Sequence, residues 1–478
     1  MKRFVQRCQG TVVRALAWCR RPRAGRLAAT VSLLSLVSLS YLAGAAVMHF
    51  DLPSSRYLGN AFTGARAWLA REGAAWTPAD RAPPLSRVTV DKPAFTYDGF
   101  TLCTTNAASE AALLDMNGEV VHRWGLPHLP SRPLPDDRIH WFRCHLFPNG
   151  DLLAVYHADG DTPYGYGLVK IDKDSKRLWA YAGTAHHDVD VGEDGRIYIL
   201  TQRLVHDLPP GLESIPGPYI ADYLVILSPD GRELQQVPIL EAYRDSPYAL
   251  TLAPLKVRAH QPSGPPRPPG PPGPAGPFDL PPDPGTIPAD SGDILHVNSV
   301  RVLPRSLAGQ FPLFKPGQVL ISSRQLHSLA VVDPEARRVV WAATGLWRSQ
   351  HDAEFLDNGR LLVFDNLGSR EGARVLEYDP VTQAVPWSYA NERSAPFVAI
   401  FRGMKQRLPN GNTLIVDPDG CRVFEVTRDK DLVWQQVSFP SWAAPQRPDA
   451  PAAVSVTSAR RYAPDELPFL KGGPRARP

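Results

Sequence analysis

Residues 351–366 read HDAEFLDNGRLLVFDN, and residues 187–202 read HDVDVGEDGRIYILTQ. The two stretches share one plan. A His-Asp pair opens a segment, an acidic turn ending in glycine follows, and a strongly apolar run comes next. The turn glycines Gly195 and Gly359 stand equally far from His187 and His351. Alternating apolar residues on both sides of such a turn make a β-hairpin, with Asp, Asn and Gly supplying the turn conformation. HLFPNGDLLAVYH from His145 and MKQRLPNGNTLIVDP from Met404 repeat the plan. NSVRVLP from Asn298, continued by GQVLISSR from Gly317, is the same hairpin with a longer loop, and TYDGFTLCTTN from Thr96 is a shorter member.

A second hairpin alternates with the first. It appears as ALLDMNGEVVHRW from Ala112, LVKIDKDSKRLWAY from Leu168 and LVILSPDGRELQQV from Leu224, then as LAVVDPEARRVVWA from Leu329, VLEYDPVTQAVPWSY from Val375 and VFEVTRDKDLVWQQ from Val423. Two hairpins per repeat make a four-stranded sheet, and six such units read as an all-β, six-bladed β-propeller over residues 91–450. One spacing is longer because it holds the Pro- and Gly-rich run 261–293, read as a loop on one face. Two β-domains joined by that run are the alternative. The likeness of the repeats on both sides favours one ring, which also hides sheet edges that half-rings would expose. Residues 51–90 fit no repeat and read as a spacer, and 451–478 as a C-terminal tail.

Charge is uneven along the 478 residues. Eight of the 52 Lys and Arg precede residue 27, and no Asp or Glu precedes Asp51. The rest carries 44 basic against 48 acidic residues, so the body shows no sign of binding nucleic acid. After the basic segment 1–26, the run Leu27–Phe50 is uncharged and mostly apolar. Its length suits a transmembrane helix, and the basic flank places the N-terminus in the cytoplasm and the body on the periplasmic or extracellular side. A signal peptide cleaved after Ala43-Gly44-Ala45 is the rival reading. Cys103, Cys144 and Cys421 would then face an oxidising space, either as buried thiols or with two of them joined.

The chemistry-bearing residues are histidines at repeated places. Equivalent points of the innermost strands face a propeller's central channel, so His187 and His351 should converge there. His296, in LHVNSV just before its own apolar strand, is a third candidate, with Asn298 beside it. Arg324 ends the strand ISSR, where a buried cation needs an anionic partner. Convergent His, Asn and Arg side chains suit a tetrahedral oxyanion. The rival readings are structural histidines bonded within their blades and a three-histidine metal site.

The segments HHDVDV, HVNSV, SSRQLHSL, QHDAEFLDNGRLLVFDN and MKQRLPNGNTLI resemble those of the arylsulfotransferase (ASST-type) propeller family, from about Thr96 to Gln436. The resemblance implies transfer of a sulfuryl group from an aryl sulfate donor to a phenolic acceptor through a sulfated histidine. No cofactor, metal or nucleotide donor is implied. It further implies that His351 is the nucleophile, that His187 and His296 flank the sulfuryl group, and that Asn298 and Arg324 bind it. One of the flanking histidines would act as general acid. The apparent anchor, the Pro-rich insertion, the lack of a closely spaced cysteine pair and the absence of an evident extra N-terminal β-domain depart from the family pattern. They leave open whether the protein is a monomer or a homodimer. A non-catalytic, membrane-anchored binding or scaffold propeller is the alternative from another class.

Overall fold

A computed structural model describes residues 87–127, 139–158, 163–206, 218–255, 292–369, 372–390, 399, 402–437, 439 and 455–470. All of these belong to one compact unit, Arg81–Pro478. The expected transmembrane helix over 27–50, the basic segment 1–26 and nearly all of the insertion 261–293 lie outside the described residues. No described helix is long and apolar enough to cross a membrane.

The strands form six antiparallel sheets. The sixth blade joins β21 (Met404–Arg407), β22 (Thr413–Asp417), β23 (Arg422–Val426) and β24 (Leu432–Val437), with β1 (Arg87–Asp91) added outside β24. The first contains β2 (Phe100–Thr105), β3 (Glu110–Leu114) and β4 (Val120–Gly125). The second runs through β5 (Ile139–Leu146), β6 (Leu152–Ala158), β7 (Gly165–Ile171) and β8 (Arg177–Tyr181). The third comprises β9 (Ala185–Val191), β10 (Ile197–Val205), β11 (Tyr219–Leu227) and β12 (Glu233–Pro238). The fourth comprises β13 (Val297–Val302), β14 (Val319–Ser323), β15 (Ser328–Asp333) and β16 (Arg338–Thr344). The fifth comprises β17 (His351–Phe355), β18 (Leu361–Ser369), β19 (Gly372–Tyr378) and β20 (Trp387–Tyr389).

The first blade takes its innermost strand from the far end of the chain. β25 (Val456–Tyr462) pairs with β2 from Phe100↔Tyr462 to Thr105↔Val456. This corrects the reading of 451–478 as a tail. VTSARRY has no turn glycine or partner hairpin nearby, so nothing local marks it as a strand. All of β1 but its last residue likewise lies in the stretch 51–90 read as a spacer. Around the axis β5, β9, β13, β17, β21 and β25 each contact the next, and β25 returns to β5. The single six-bladed ring expected from the repeats is borne out.

The packing explains why the middle strands are apolar without interruption. Along β18, Leu361 and Val363 pack towards the fourth blade with Leu320 and Val331, while Leu362 and Phe364 pack towards the sixth with Ile415 and Phe424. A strand's side chains alternate between faces, and here both faces are interior. Corresponding clusters fill each of the other interfaces between neighbouring blades. Fully burying one such side chain stabilises by about 1.5–3 kcal/mol. The hairpin turns are equally constrained. Gly359 has φ +77°, and a Cβ there would lie 2.5 Å from the Gln310 carbonyl oxygen, so the turn following His351 requires glycine.

Buried charges tie the innermost strands together. The Arg143 guanidinium meets Asp188 at 2.9 Å and Asp352 at 2.8 Å. Arg301 reaches the same two carboxylates at 2.5 and 3.1 Å. Lys405 reaches Asp352 at 3.2 Å and Glu354 at 3.4 Å. Burial alone would raise the Asp352 pKa, but Lys405, Arg143 and Arg301 outweigh it and hold the carboxyl well below the ordinary range. A carboxylate depressed on folding contributes stability above its unfolded pKa, about 4, and loses it as pH falls towards the folded value. Asp352→Asn is therefore expected to cost roughly 3–5 kcal/mol near pH 7, with a deficit that shrinks as pH falls below about 4. Urea melts of both proteins across pH measure this. A deficit that is constant with pH would count against the assignment.

Candidate functional site

The residues singled out in the sequence come together where the innermost strands of the third, fourth and fifth blades begin. His187 lies in β9, Asn298 is the second residue of β13 and His351 the first of β17. His296 immediately precedes β13, and Arg324 follows β14. Each of the three strands has a register shift here, at 187–188, 298 and 352–353. His187, His296 and Asp352 take positive φ of 56°, 50° and 47°. A non-glycine residue in that region costs on the order of 1 kcal/mol or more, and such residues gather at functional sites. The bulges also separate the paired side chains. His187 turns to the other histidines, whereas Asp188 and Asp352 turn to the charge network below.

His351 is buried, and its ring is fixed from one side. Nδ1 lies 2.7 Å from Asn366 Oδ1 and 3.0 Å from the Ser349 carbonyl oxygen. The Asn366 amide nitrogen donates to the carbonyls of Ala399 at 2.9 Å and Arg402 at 2.5 Å. Its oxygen is therefore the acceptor facing the ring. Two acceptors at Nδ1 require a proton there, which leaves Nε2 with its lone pair and without a hydrogen bond among the described residues. Burial, then the nearby Arg324 cation, lower the His351 pKa to about 3. The imidazole is neutral at physiological pH.

His187 and His296 stand face to edge with ring centroids 4.9 Å apart. Burial, followed by repulsion from His296, His186, His157 and His351, pushes His187 well below the ordinary histidine range. Its Nδ1 lies 2.9 Å from Nδ1 of His186, whose Nε2 is 3.3 Å from the Asp222 carboxylate. His296 Nδ1 sits 2.5 Å from Asp293 Oδ2, and the Tyr164 hydroxyl is 3.3 Å from that carboxylate and 3.4 Å from the same nitrogen. Tyr164, His157 and Phe142 pack their rings around His187.

Asn298 is held from one side. Its amide nitrogen donates to the Gln350 carbonyl oxygen at 2.9 Å, and its buried oxygen has no partner among the described residues. It anchors the residue preceding His351, leaving one N–H for a ligand. Sequence reasoning missed Asn366, His186, Asp222, Asp293 and Tyr164. His186 adjoins His187 and Asn366 ends the segment QHDAEFLDNGRLLVFDN, so both are within reach of the sequence. Asp293 falls in the stretch that reads as the insertion 261–293, and Tyr164 carries no sequence signal. Among the described residues no three or more His, Cys, Asp or Glu are grouped to hold a metal ion. No disulfide joins Cys103, Cys144 or Cys421, and the first two are buried.

No curated protein matches the chain. Among solved structures it is similar to a protein of unknown function from Bacteroides caccae, at 11% identity and TM-score 0.44, covering 71% of this chain and 93% of that one. A streptogramin B lyase gives 11% identity and TM-score 0.38 over 74% and 88%. Virginiamycin B lyase from Staphylococcus aureus gives 8% identity and TM-score 0.37 over 74% and 85%. Residues 284–439, which hold His296, Asn298, Arg324, His351 and Asn366, match the family model described as Arylsulfotransferase (ASST).

Proposed function

We propose that the protein is an arylsulfotransferase that moves a sulfuryl group from an aryl sulfate to a phenol through a sulfated His351. The observation that carries this reading is the fixed tautomer of His351, a neutral imidazole with Nε2 open beside Arg324. A neutral nitrogen lone pair is what attack on sulfur requires. In the first step Nε2 bonds to sulfur and the S–O bond to the aryl group breaks, its electron pair leaving on the phenolate. Arg324 supplies planar donors to the sulfuryl oxygens. Asn366 Oδ1 holds the Nδ1 proton while the ring carries positive charge. In the second step the acceptor phenol gives up its proton, which balances the phenolate released in the first, its oxygen attacks sulfur and the pair of the N–S bond returns to Nε2, which gives ping-pong kinetics.

The test is incubation of purified protein with 4-nitrophenyl sulfate and excess phenol, reading nitrophenolate release and phenyl sulfate formation. Asn366→Leu removes the acceptor that selects the tautomer. We expect kcat to fall about a hundredfold or more with KM little changed, as when an orienting partner of a catalytic histidine is lost. Asn366→Asp, which keeps an acceptor at Nδ1, should retain much more activity. Equal losses in both variants would point to damaged packing instead.

A further inference from the structure

A reaction that exchanges one phenol for another needs a single proton carrier. The group that protonates the departing phenolate must also take the proton of the incoming phenol, because the second step is the first in reverse. Two histidines other than His351 are placed for this, and their surroundings differ. Among the described residues His187 reaches a carboxylate through a second ring, His186. His296 reaches one directly, at 2.5 Å. The His296 side chain retains 19% exposure, so it sits at the solvent side of the cluster, whereas Asp293 beneath it is 5% exposed.

Asp293 has a further feature. Its Oδ1 is buried and has no hydrogen-bond partner among the described residues. A buried carboxylate with an unmatched oxygen is costly unless a cation stands against it. His296 is the ring that directly contacts it. The Tyr164 hydroxyl completes the group at 3.3 Å from Asp293 Oδ2. Burial, then the charges of Asp293 and Asp222, push the Tyr164 pKa well above its ordinary value, so the phenol keeps its proton and stays a donor. Burial opposes ionisation of Asp293, but His296 outweighs it and holds the carboxyl below its ordinary range. Other ionisable neighbours of His296 include His187, in ring contact, His351, and Arg324, whose backbone N–H donates to the His296 carbonyl oxygen at 3.0 Å.

We propose that Asp293, steadied by Tyr164, is the positioning residue that makes His296 the proton carrier of sulfuryl transfer; this rests on the reading given under Proposed function. Asp293 accepts from Nδ1 and so presents the Nε2 proton of the imidazolium to the substrate. As the S–O bond breaks, that proton passes to the phenolate oxygen and leaves His296 neutral. When the acceptor phenol attacks the sulfated His351, its hydroxyl proton passes to Nε2 and restores the imidazolium. No outside acid, base or co-reactant is needed, and Asp293 touches no substrate.

The experiment compares wild type with Asp293→Asn across aryl sulfates, from 4-nitrophenyl sulfate to phenyl sulfate, with one acceptor. kcat/KM for the donor reports the first half-reaction. Nitrophenolate leaves without help, whereas phenolate needs a proton. We expect Asp293→Asn to lose less than about fivefold on 4-nitrophenyl sulfate and about a hundredfold or more on phenyl sulfate, the range of general acid catalysis. Proton NMR without substrate supplies an independent readout. A low-field ring N–H signal should be present in wild type and in His351→Ala, and absent from Asp293→Asn and His296→Gln. Equal losses on both donors, or no low-field signal in wild type, would overturn the assignment. Absence of transfer in wild type with every donor would instead sink the sulfuryl-transfer reading, and this one with it.

Discussion

Replacing His351 with Ala is expected to abolish both turnover and covalent labelling. Wild-type protein exposed to an aryl sulfate without acceptor should gain one sulfuryl group on the tryptic peptide Ser349–Arg360, stable in alkali and lost in acid. In His351→Ala the adduct should be absent and kcat lower by on the order of 10⁴-fold or more, as for other lost nucleophiles. The physical ground is the one-sided fixation of the ring. Asn366 is itself held by the Ala399 and Arg402 carbonyls, so it can only accept, and Nδ1 must carry the proton. His187 has no such fixed partner. It faces His186, a ring that can donate or accept. A sulfuryl group on the peptide Leu178–Arg196 with His351 unmodified would reverse the two roles. Full turnover in His351→Ala would end the covalent mechanism.

The second large effect is on folding. A chain that stops at residue 454 lacks β25, and we expect it not to fold. The strand supplies the innermost edge of the first blade, and its loss leaves β2 with open backbone groups. Arg461 shows how firmly that edge is tied to the sixth blade. Its guanidinium meets Glu425 at 2.5 Å with both side chains fully buried, donates to Thr101 Oγ1 at 3.1 Å and lies over the Trp434 ring at 4.3 Å. Arg461→Ala alone leaves the buried Glu425 carboxylate with the Tyr97 and Asn412 N–H donors but without its cation, at a cost of about 3–5 kcal/mol. Circular dichroism and urea melts check both proteins. A truncated chain with a wild-type melt would mean that closure does not depend on β25.

The ring could be read from repeats because blades are built alike. Each interface needs the same alternation, so LLVF at Leu361 and LIV at Leu414 announce the same task. β25 stays hidden because its partner strand, β2, lies at the other end of the chain. The site was legible to the same extent. His187 and His351 share a place in the repeat and were found by it. Asn366, His186 and Asp293 act on the histidines through contacts made by bulges and positive φ, which no period reveals. Asp293 also sits at the edge of a Pro-rich run, where composition suggested only a loop.

The ion-pair network below the histidines bears on traffic. Arg143, Asp188, Asp352 and Lys405 are each at most 7% exposed, and with Arg301 they bridge the inner strands of the second to sixth blades. Beyond them lies a cavity of about 60 Å³ bordered by His145, Asp190 and Arg460. A molecule beside His351 would have to break several buried ion pairs to reach it. On the proposed chemistry, this network closes one side of His351 among the described residues and leaves the opposite side as the door. The spent phenol must go out by the way the next one comes in, so a bulky first product held at that door would be a competitive inhibitor of the acceptor.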